Sequence, residues 1–200
     1  MKPRHTLTAV LLSAGLSATA VAAQSVSAEA ASAAVVKQPP LVTAALAELA
    51  QRQAEEDRIA KNLETFDTLD FEVFSGQQWD RLHESHADDI LVHWPDGRTV
   101  RGIDAHIDDL KAFFVFAPDT VIDKHPIRIG QGEWTGVVGE ISGTFTEPMP
   151  IGDGQVIEPT GKRYALTMAT IGHWTDDGVM DEEYLFWDNN AFYRQIGLID

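Results

Sequence analysis

The amino-acid sequence predicts an α+β fold in which helices come first and a mainly antiparallel sheet follows. Up to about residue 75, apolar residues recur every three or four positions, as they do in amphipathic helices. From about residue 120 onward, extended segments alternate with Gly, Pro and Asp-Gly turn signals, as they do in hairpins. Strands and helices do not alternate along the chain, so the sequence does not predict a parallel βαβ sheet.

The composition is that of one globular domain of ordinary size. The chain has 200 residues, of which 44% are hydrophobic and 23% are charged. The 31 acidic residues outnumber the 15 basic residues, so clustered Lys and Arg for phosphate contacts are scarce and we expect no nucleic-acid partner. The chain has no cysteine, which excludes disulfides, thiolate nucleophiles and zinc sites built on cysteine.

The N-terminal residues 1–23 have the three parts of a secretory signal peptide. A basic start is followed by an apolar stretch from Leu7 to about Leu16 and then by small residues. Cleavage near Ala22 or Ala23 fits this pattern. We therefore expect a periplasmic or secreted bacterial protein with no membrane contact after cleavage.

The first half of the mature chain is predicted to be helical. Residues 24–40 are rich in Ala, Ser and Val and are predicted to be a flexible leader. An N-terminal helical extension is expected at 41–58, and a second helical stretch at about 57–75. The pattern leaves open whether these are one helix or two. A short helix is predicted from Trp79 to about Ala87.

The second half begins with a short strand at 90–94 and an amphipathic helix from Ile103 to Phe116. The loop at 147–160 is long and rich in Gly and Pro, and is either a lid or a solvated connection. The long strands are predicted at roughly 120–129, 134–147, 161–174 and 178–188.

Several short segments occur in a characteristic order: Asp89–Pro95, Arg101–Ala105, Gly143–Thr146 with Pro159–Arg163, and Asp177–Asp188. In this order and spacing the chain resembles the SnoaL-like polyketide cyclases, also called ester cyclases, of the nuclear transport factor 2-like superfamily. The resemblance covers roughly residues 59–198 and implies one domain at 59–200. It implies a cone in which a curved antiparallel sheet wraps around helices, with an apolar pocket at the open end. It also implies a homodimer formed through the outer face of the sheet.

The last strand carries two alternating sets of side chains, and periodicity does not decide which set faces inward. The resemblance favours the set with Glu182, Tyr184, Phe186 and Asp188. In polyketide cyclases of this type an Asp near the end of the last strand is the acid/base, and Asp188 matches that position. A carboxylate at the rim of an apolar pocket loses solvation, which raises its pKa towards a useful range. The alternative is that Asp188 caps the terminal helix.

His93 is the second catalytic candidate, because the resemblance places a pocket-facing His at this point; the alternative is a strand His bonded to backbone. The substrate-binding candidates are Trp94, Phe113, Glu182, Tyr184 and Phe186. His173 is expected on a hairpin rather than in the pocket. We expect neither a metal nor a cofactor, because the metal-type residues His83, His86, Asp88 and Asp89 lack a recognised zinc spacing.

Two function classes follow from these expectations. The first is a cofactor-free enzyme that uses acid/base chemistry for cyclisation, isomerisation or dehydration of a small hydrophobic molecule with a carbonyl group. The second is a non-catalytic secreted protein of the same fold that binds a small molecule or acts as a dimeric scaffold. The chain has no G-x-S-x-G, P-loop or G-x-G-x-x-G motif, so nucleophilic and nucleotide-dependent chemistry is not indicated.

Overall fold

The structure is a computed structural model that describes residues 39–200. The predicted signal peptide at 1–23 lies outside the described residues, and so does the predicted leader except for its last two residues. Within residues 39–200, no helix combines the length and the apolar character that crossing a bilayer requires.

The N-terminal helix α1 (Pro40–Thr68) is continuous, which settles the question of one helix or two. Its residues 40–57 are exposed, and burial begins near the predicted start of the domain at residue 59. Phe66 on its buried part is fully inaccessible and packs edge-on against Trp174, with ring centroids 5.9 Å apart. A π-helical turn (Leu69–Phe74) follows α1 directly. A 3-10 helix (Trp79–Glu84) lies where the third helix was predicted.

A seven-stranded sheet forms the second layer. The strands are β1 (His86–His93), β2 (Thr99–Arg101), β3 (Val121–Ile122), β4 (Ile127–Gln131), β5 (Trp134–Thr144), β8 (Arg163–Trp174) and β9 (Met180–Phe186). Their order in the sheet is β2-β1-β9-β8-β5-β3, with β4 also paired to β5. All pairs are antiparallel except β1 with β9. A separate hairpin, β6 (Met149–Gly152) with β7 (Gln155–Ile157), occupies the predicted 147–160 loop.

Helix α2 (Ile103–Phe116) has the bounds predicted from its apolar stripe. Its buried face includes Leu110 and Phe114, and it packs with the end of α1 against the inner face of the curved sheet. The α+β prediction is therefore confirmed, with helices packed on one face of a mainly antiparallel sheet.

A β-bulge in β9 determines which of its side chains face the helices. In the β8–β9 ladder, Trp174 pairs with Met180 and His173 pairs with Glu182, so Asp181 is an extra residue. Because side chains alternate with a period of two, one extra residue reverses the faces beyond it. The inward side chains are Met180 before the bulge and Glu183 and Leu185 after it.

The terminal helix α3 (Asn189–Ile196) begins at Asp188. The Asp188 Oδ1 atom accepts hydrogen bonds from the backbone N–H groups of Asn190 (2.8 Å) and Ala191 (3.1 Å). The helix ends at Gly197, whose φ of 81° is the left-handed conformation that favours glycine at this position. The structure thus gives Asp188 the capping role that the sequence left as the alternative.

Replacing Asp188 with Ala is expected to lower the free energy of unfolding by about 1 kcal/mol, because two N–H groups of α3 lose their acceptor. Urea unfolding followed by circular dichroism measures the change. Asp188→Asn is the matched control, since Asn caps helices as well as Asp does. Equal losses in both variants would contradict the capping role.

Candidate functional site

An aromatic cavity opens between α2, the inner face of the sheet and α3. Its volume is about 250 Å³. Trp94, Phe113 and Trp187 form one wall, with ring centroids 5.8–6.4 Å apart. Tyr164 and Phe192 form part of the opposite wall, with centroids 5.0 Å apart. Such a cavity suits a compact ligand with an apolar ring system.

The mouth of the cavity is polar. The Arg98 guanidinium lies over the Trp94 ring, 4.4 Å from its centroid, and donates a hydrogen bond of 2.7 Å to Asp109. Asp96 holds the same guanidinium from its other side at 3.2 Å. The mouth therefore has a fixed cation with its carboxylate partners, whereas the walls are apolar.

A second, smaller space of about 40 Å³ lies deeper and shares wall residues Trp94, Phe113 and Trp187 with the cavity. Four titratable side chains line it, and we call them the cavity floor: Asp70, His86, His106 and Glu183. Each is at most 6% exposed. Buried groups of this kind in a cleft are candidates for function.

Glu183 lies between the two floor histidines. Its Oε2 atom is 3.4 Å from His106 Nε2 and 3.8 Å from His86 Nε2. Burial alone would raise the pKa of Glu183, but the adjacent imidazoles outweigh it and hold that pKa below its ordinary value. Burial lowers the pKa of His106 to about 4. Near pH 7, the floor thus holds an ionised Glu183 and a neutral His106.

Asp70 enters the floor from the π-helical turn. The backbone N–H of Ser75 bonds to the carbonyl of Asp70, five residues earlier, which widens the helix at this point. Burial raises the pKa of Asp70, partly opposed by its hydrogen bond with His125. The pKa of Glu183 is therefore lowered, whereas the pKa of Asp70 is raised.

His125 connects Asp70 to the protein surface. Its Nε2 atom lies 2.8 Å from Asp70 Oδ2, and its Nδ1 atom lies 2.7 Å from Asp67 Oδ1. Asp67 is partly exposed and also pairs with Arg128 at 3.2 Å. Burial disfavours the His125 cation, but the two carboxylates outweigh it and raise the pKa of His125.

The predicted binding residues Trp94 and Phe113 line the cavity. The other predicted site residues do not reach it. His93 bonds to Glu182 at 2.8 Å and stacks on Tyr184 with centroids 4.0 Å apart, on the outer face of the sheet. Phe186 is on the same face and is 50% exposed. The expected inward orientation of Glu182, Tyr184 and Phe186 is wrong because of the bulge at Asp181.

Asp188 and His173, which was predicted to lie on a hairpin, are also away from the floor. The Asp188 side chain is mostly exposed at the start of α3. His173 pairs with Asp181 (2.6 Å) and Glu133 (3.4 Å) on the outer side of the hairpin, as expected.

Sequence reasoning missed the floor as a group. His86 was considered only with His83, Asp88 and Asp89, all three of which are exposed. His106 lies on the buried face of α2, three residues after Ile103, and this polar residue in an apolar stripe was the available signal. Asp70 gave the same signal, because it is a polar residue at the end of the apolar stripe that begins in α1.

His86, His106 and Glu183 also have the donor types of a metal site, since one ligand atom from each lies within 4.8 Å of the others. Fold and site together define a class: α+β proteins whose curved sheet and helices enclose an apolar small-molecule cavity with a titratable floor.

Within this class, the sequence model of the SnoaL-like polyketide cyclases matches residues 64–196, which is more than half of the chain. The chain belongs to this family. A comparison with curated proteins finds no match.

Solved structures share the fold. A protein assigned as a SnoaL-like polyketide cyclase from Jannaschia sp. CCS1 aligns with a TM-score of 0.61 and 20% identity, over 70% of this chain and 94% of that chain. IdmH from Streptomyces antibioticus, assigned as a polyketide cyclase, aligns with a TM-score of 0.57 and 21% identity, over 68% and 98%. A protein with the same assignment from Xanthomonas campestris pv. campestris has a TM-score of 0.59 and 14% identity, over 72% and 99%. At these identities the likeness shows the fold alone.

Replacing Asp67 with Asn is expected to lower the pKa of His125, because one of two carboxylates that favour the imidazolium is removed. Nuclear magnetic resonance titration of the histidine rings measures this pKa, with His125→Gln to assign the signal. The wild-type value should lie above 6.5. Asp181→Asn is the control and should lower the pKa of His173 only. A His125 pKa unaffected by Asp67→Asn would contradict the arrangement.

Proposed function

We propose that the chain is a proton-transfer enzyme that acts on a small, largely apolar carbonyl compound held in the cavity. The observation that carries this proposal is the cavity floor, where two carboxyl groups and two histidines line a small space that shares wall residues with the aromatic cavity. The reaction types that fit are cyclisation, isomerisation and dehydration, because each one moves a proton at a carbon next to a carbonyl group.

Asp70 is the proposed acid/base. Its raised pKa brings the carboxyl closer to the range in which it both accepts and returns a proton. The hydrogen bond from His125 fixes the orientation of one carboxyl oxygen and leaves the other to face the floor. As an ionised group, Asp70 takes a proton from the carbon next to the substrate carbonyl. As a protonated group, it returns that proton to another carbon or to a leaving oxygen.

Glu183 and the histidines have a different task. Two neighbouring carboxyl groups whose pKa values are shifted in opposite directions commonly divide the work of catalysis. Glu183 remains an anion that orients the two imidazoles. An imidazole N–H of the floor donates to the carbonyl oxygen as negative charge develops on it, which stabilises the enolate.

The setting follows from the N-terminal pattern, which supports export of the chain to the periplasm or the medium. Binding without proton transfer is the competing function, since an apolar cavity would hold the same compounds. The test must therefore separate binding from exchange.

Replacing Asp70 with Asn is expected to slow proton exchange at the carbon next to a carbonyl by at least 100-fold, because the acid/base group is lost. The probe is 2-tetralone, a bicyclic ketone, in deuterated buffer. Proton nuclear magnetic resonance follows loss of its α-proton signal, and wild-type exchange should accelerate as the pH rises through the pKa of Asp70.

Glu182→Gln is the matched control, because it removes a carboxylate of the outer face and leaves the floor unchanged. Its exchange rate should equal that of the wild type. If 2-tetralone and related aryl ketones bind to the wild type but do not exchange above the buffer rate, the protein is a binding module. If Asp70→Asn exchanges as fast as the wild type, Asp70 is not the acid/base.

We also propose that the chain is a homodimer formed through the outer face of the sheet. Strand register places Ile129, Gly136 and Ile171 side by side on this face. Ile129 is 64% exposed and Ile171 is 39% exposed. Trp134 and Phe186 extend the same exposed apolar surface, and apolar surfaces of this kind commonly mark interfaces.

Ile171→Glu is expected to convert the dimer to a monomer, because it places a charge at the centre of the proposed interface. Sedimentation velocity at about 50 μM and light scattering coupled to gel filtration measure the mass. Ile151→Glu is the control, since Ile151 is 54% exposed but lies on the separate β6–β7 hairpin. A monomeric wild type, or a dimeric Ile171→Glu variant, would refute the proposal.

A further inference from the structure

We propose that His86, His106 and Glu183 form a binding site for one divalent transition-metal ion, with Zn²⁺ as the best fit. The inference rests on the proposed function in that it uses the same cavity floor and supplies a cofactor for it. Two imidazoles and one carboxylate are the donor set of many catalytic zinc sites.

The ligand atoms are close to the spacing that such an ion requires. With metal–ligand bonds of about 2.0–2.1 Å, neighbouring ligand atoms of a tetrahedral zinc site lie about 3.4 Å apart. Glu183 Oε2 and His106 Nε2 are already 3.4 Å apart, and Glu183 Oε2 and His86 Nε2 are 3.8 Å apart. Small side-chain rotations complete the triangle, since all three atoms lie within 4.8 Å of one another.

Ser85 contacts the ring nitrogen of His86 that faces away from Glu183. The Ser85 hydroxyl donates to the carbonyl oxygen of Leu82 at 3.1 Å. When the hydroxyl makes this donation, it accepts in its contact of 2.8 Å with His86 Nδ1, and the proton of a neutral His86 is on Nδ1. In that tautomer the Nε2 lone pair points towards Glu183 and is available to a metal ion. Zinc-binding histidines are oriented by a partner on the other ring nitrogen in this way.

Burial makes this arrangement costly without a cation. Within residues 39–200, neither His86 Nε2 nor Glu183 Oε2 has a hydrogen-bond partner, although both atoms are inaccessible. In the tautomer with the proton on Nδ1, the Nε2 lone pair faces a buried carboxylate oxygen with no proton between them, which is destabilising. A cation between these atoms satisfies both. A proton on His86 is the alternative occupant, so the experiment must distinguish a metal from a proton.

The site lies beside the outer cavity and would leave one coordination position open. The floor space is lined by all three ligands and shares the wall residues Trp94 and Phe113 with the outer cavity, so an ion would enter past these two rings. Three protein ligands leave a fourth position for a substrate oxygen, as in catalytic zinc sites. Asp70 is not one of the three, so it would keep its proposed proton-transfer role, and a bound cation would polarise the carbonyl group.

The test starts with the full chain without an affinity tag, after removal of metals with EDTA. We expect one equivalent of Zn²⁺ or Co²⁺ to bind by isothermal titration calorimetry, and bound Co²⁺ to show visible absorption of a four- or five-coordinate site. X-ray absorption of the zinc-loaded wild type should count two imidazoles. The exposed cluster of His173, Asp181 and Glu133 offers only one imidazole, so the count separates the two locations without a variant.

Variants then assign the ligands. Glu183→Gln and His106→Gln should each lower the affinity at least 100-fold, and Ser85→Ala should lower it 10- to 100-fold. His173→Gln should leave it unchanged. Circular dichroism verifies that each variant is folded. The imidazole count is made on the wild type, so it remains valid if a variant does not fold.

Failure to bind a stoichiometric ion would overturn the metal site and leave a proton as the occupant. An imidazole count below two, or loss of the ion in His173→Gln, would also overturn it. The proposed function fails separately. Exchange of 2-tetralone that persists in EDTA without any bound metal supports proton transfer and overturns the role of the ion as a cofactor for it. Stoichiometric metal binding without exchange supports the metal site and contradicts the proposed function.

Discussion

The extra residue in β9 is the constraint on which the site depends. Without the bulge at Asp181, the strand would continue the alternation begun by Met180 and would place Glu182 inside. With the bulge, Glu183 enters the floor and Glu182 bonds to His93 and Tyr184 outside. One inserted residue therefore decides that Glu183 rather than Glu182 is the buried carboxylate. It also leaves the aromatic side chains of the strand on the outer face.

A carboxylate at the closed end of an apolar cavity is stable only if the surrounding groups compensate for its lost hydration. For Glu183, two elements that are distant in the chain supply these groups: β1 contributes His86 and α2 contributes His106. The aromatic rings of Trp94, Phe113 and Trp187 line the floor with apolar surface. Apolar surroundings strengthen the electrostatic interactions among the floor residues, and stronger interactions favour proton transfer.

The fold was more predictable than the site. Apolar periodicity located α2 at its observed bounds, and turn signals located β8 and β9 within about three residues. Trp94 and Phe113 were chosen as cavity residues because a few of the many aromatic side chains must line any cavity. The face of β9 was predicted incorrectly, because alternation assumes that no residue is inserted. The floor was missed because its four members lie far apart in sequence, and only tertiary packing brings them within reach of one another.

The two floor carboxyls illustrate why neighbouring acidic groups need unlike surroundings. Glu183 is compensated from within the cavity by His86 and His106, whereas Asp70 is compensated from behind by His125. A ligand or cation that enters the cavity therefore meets the partners of Glu183 directly but does not displace those of Asp70. The chain Asp70–His125–Asp67 reaches the partly exposed Asp67, so the charge of Asp70 can be balanced from the outside while the cavity is filled. Because of this separation, Glu183 can keep its negative charge in the floor while Asp70 remains free to exchange a proton.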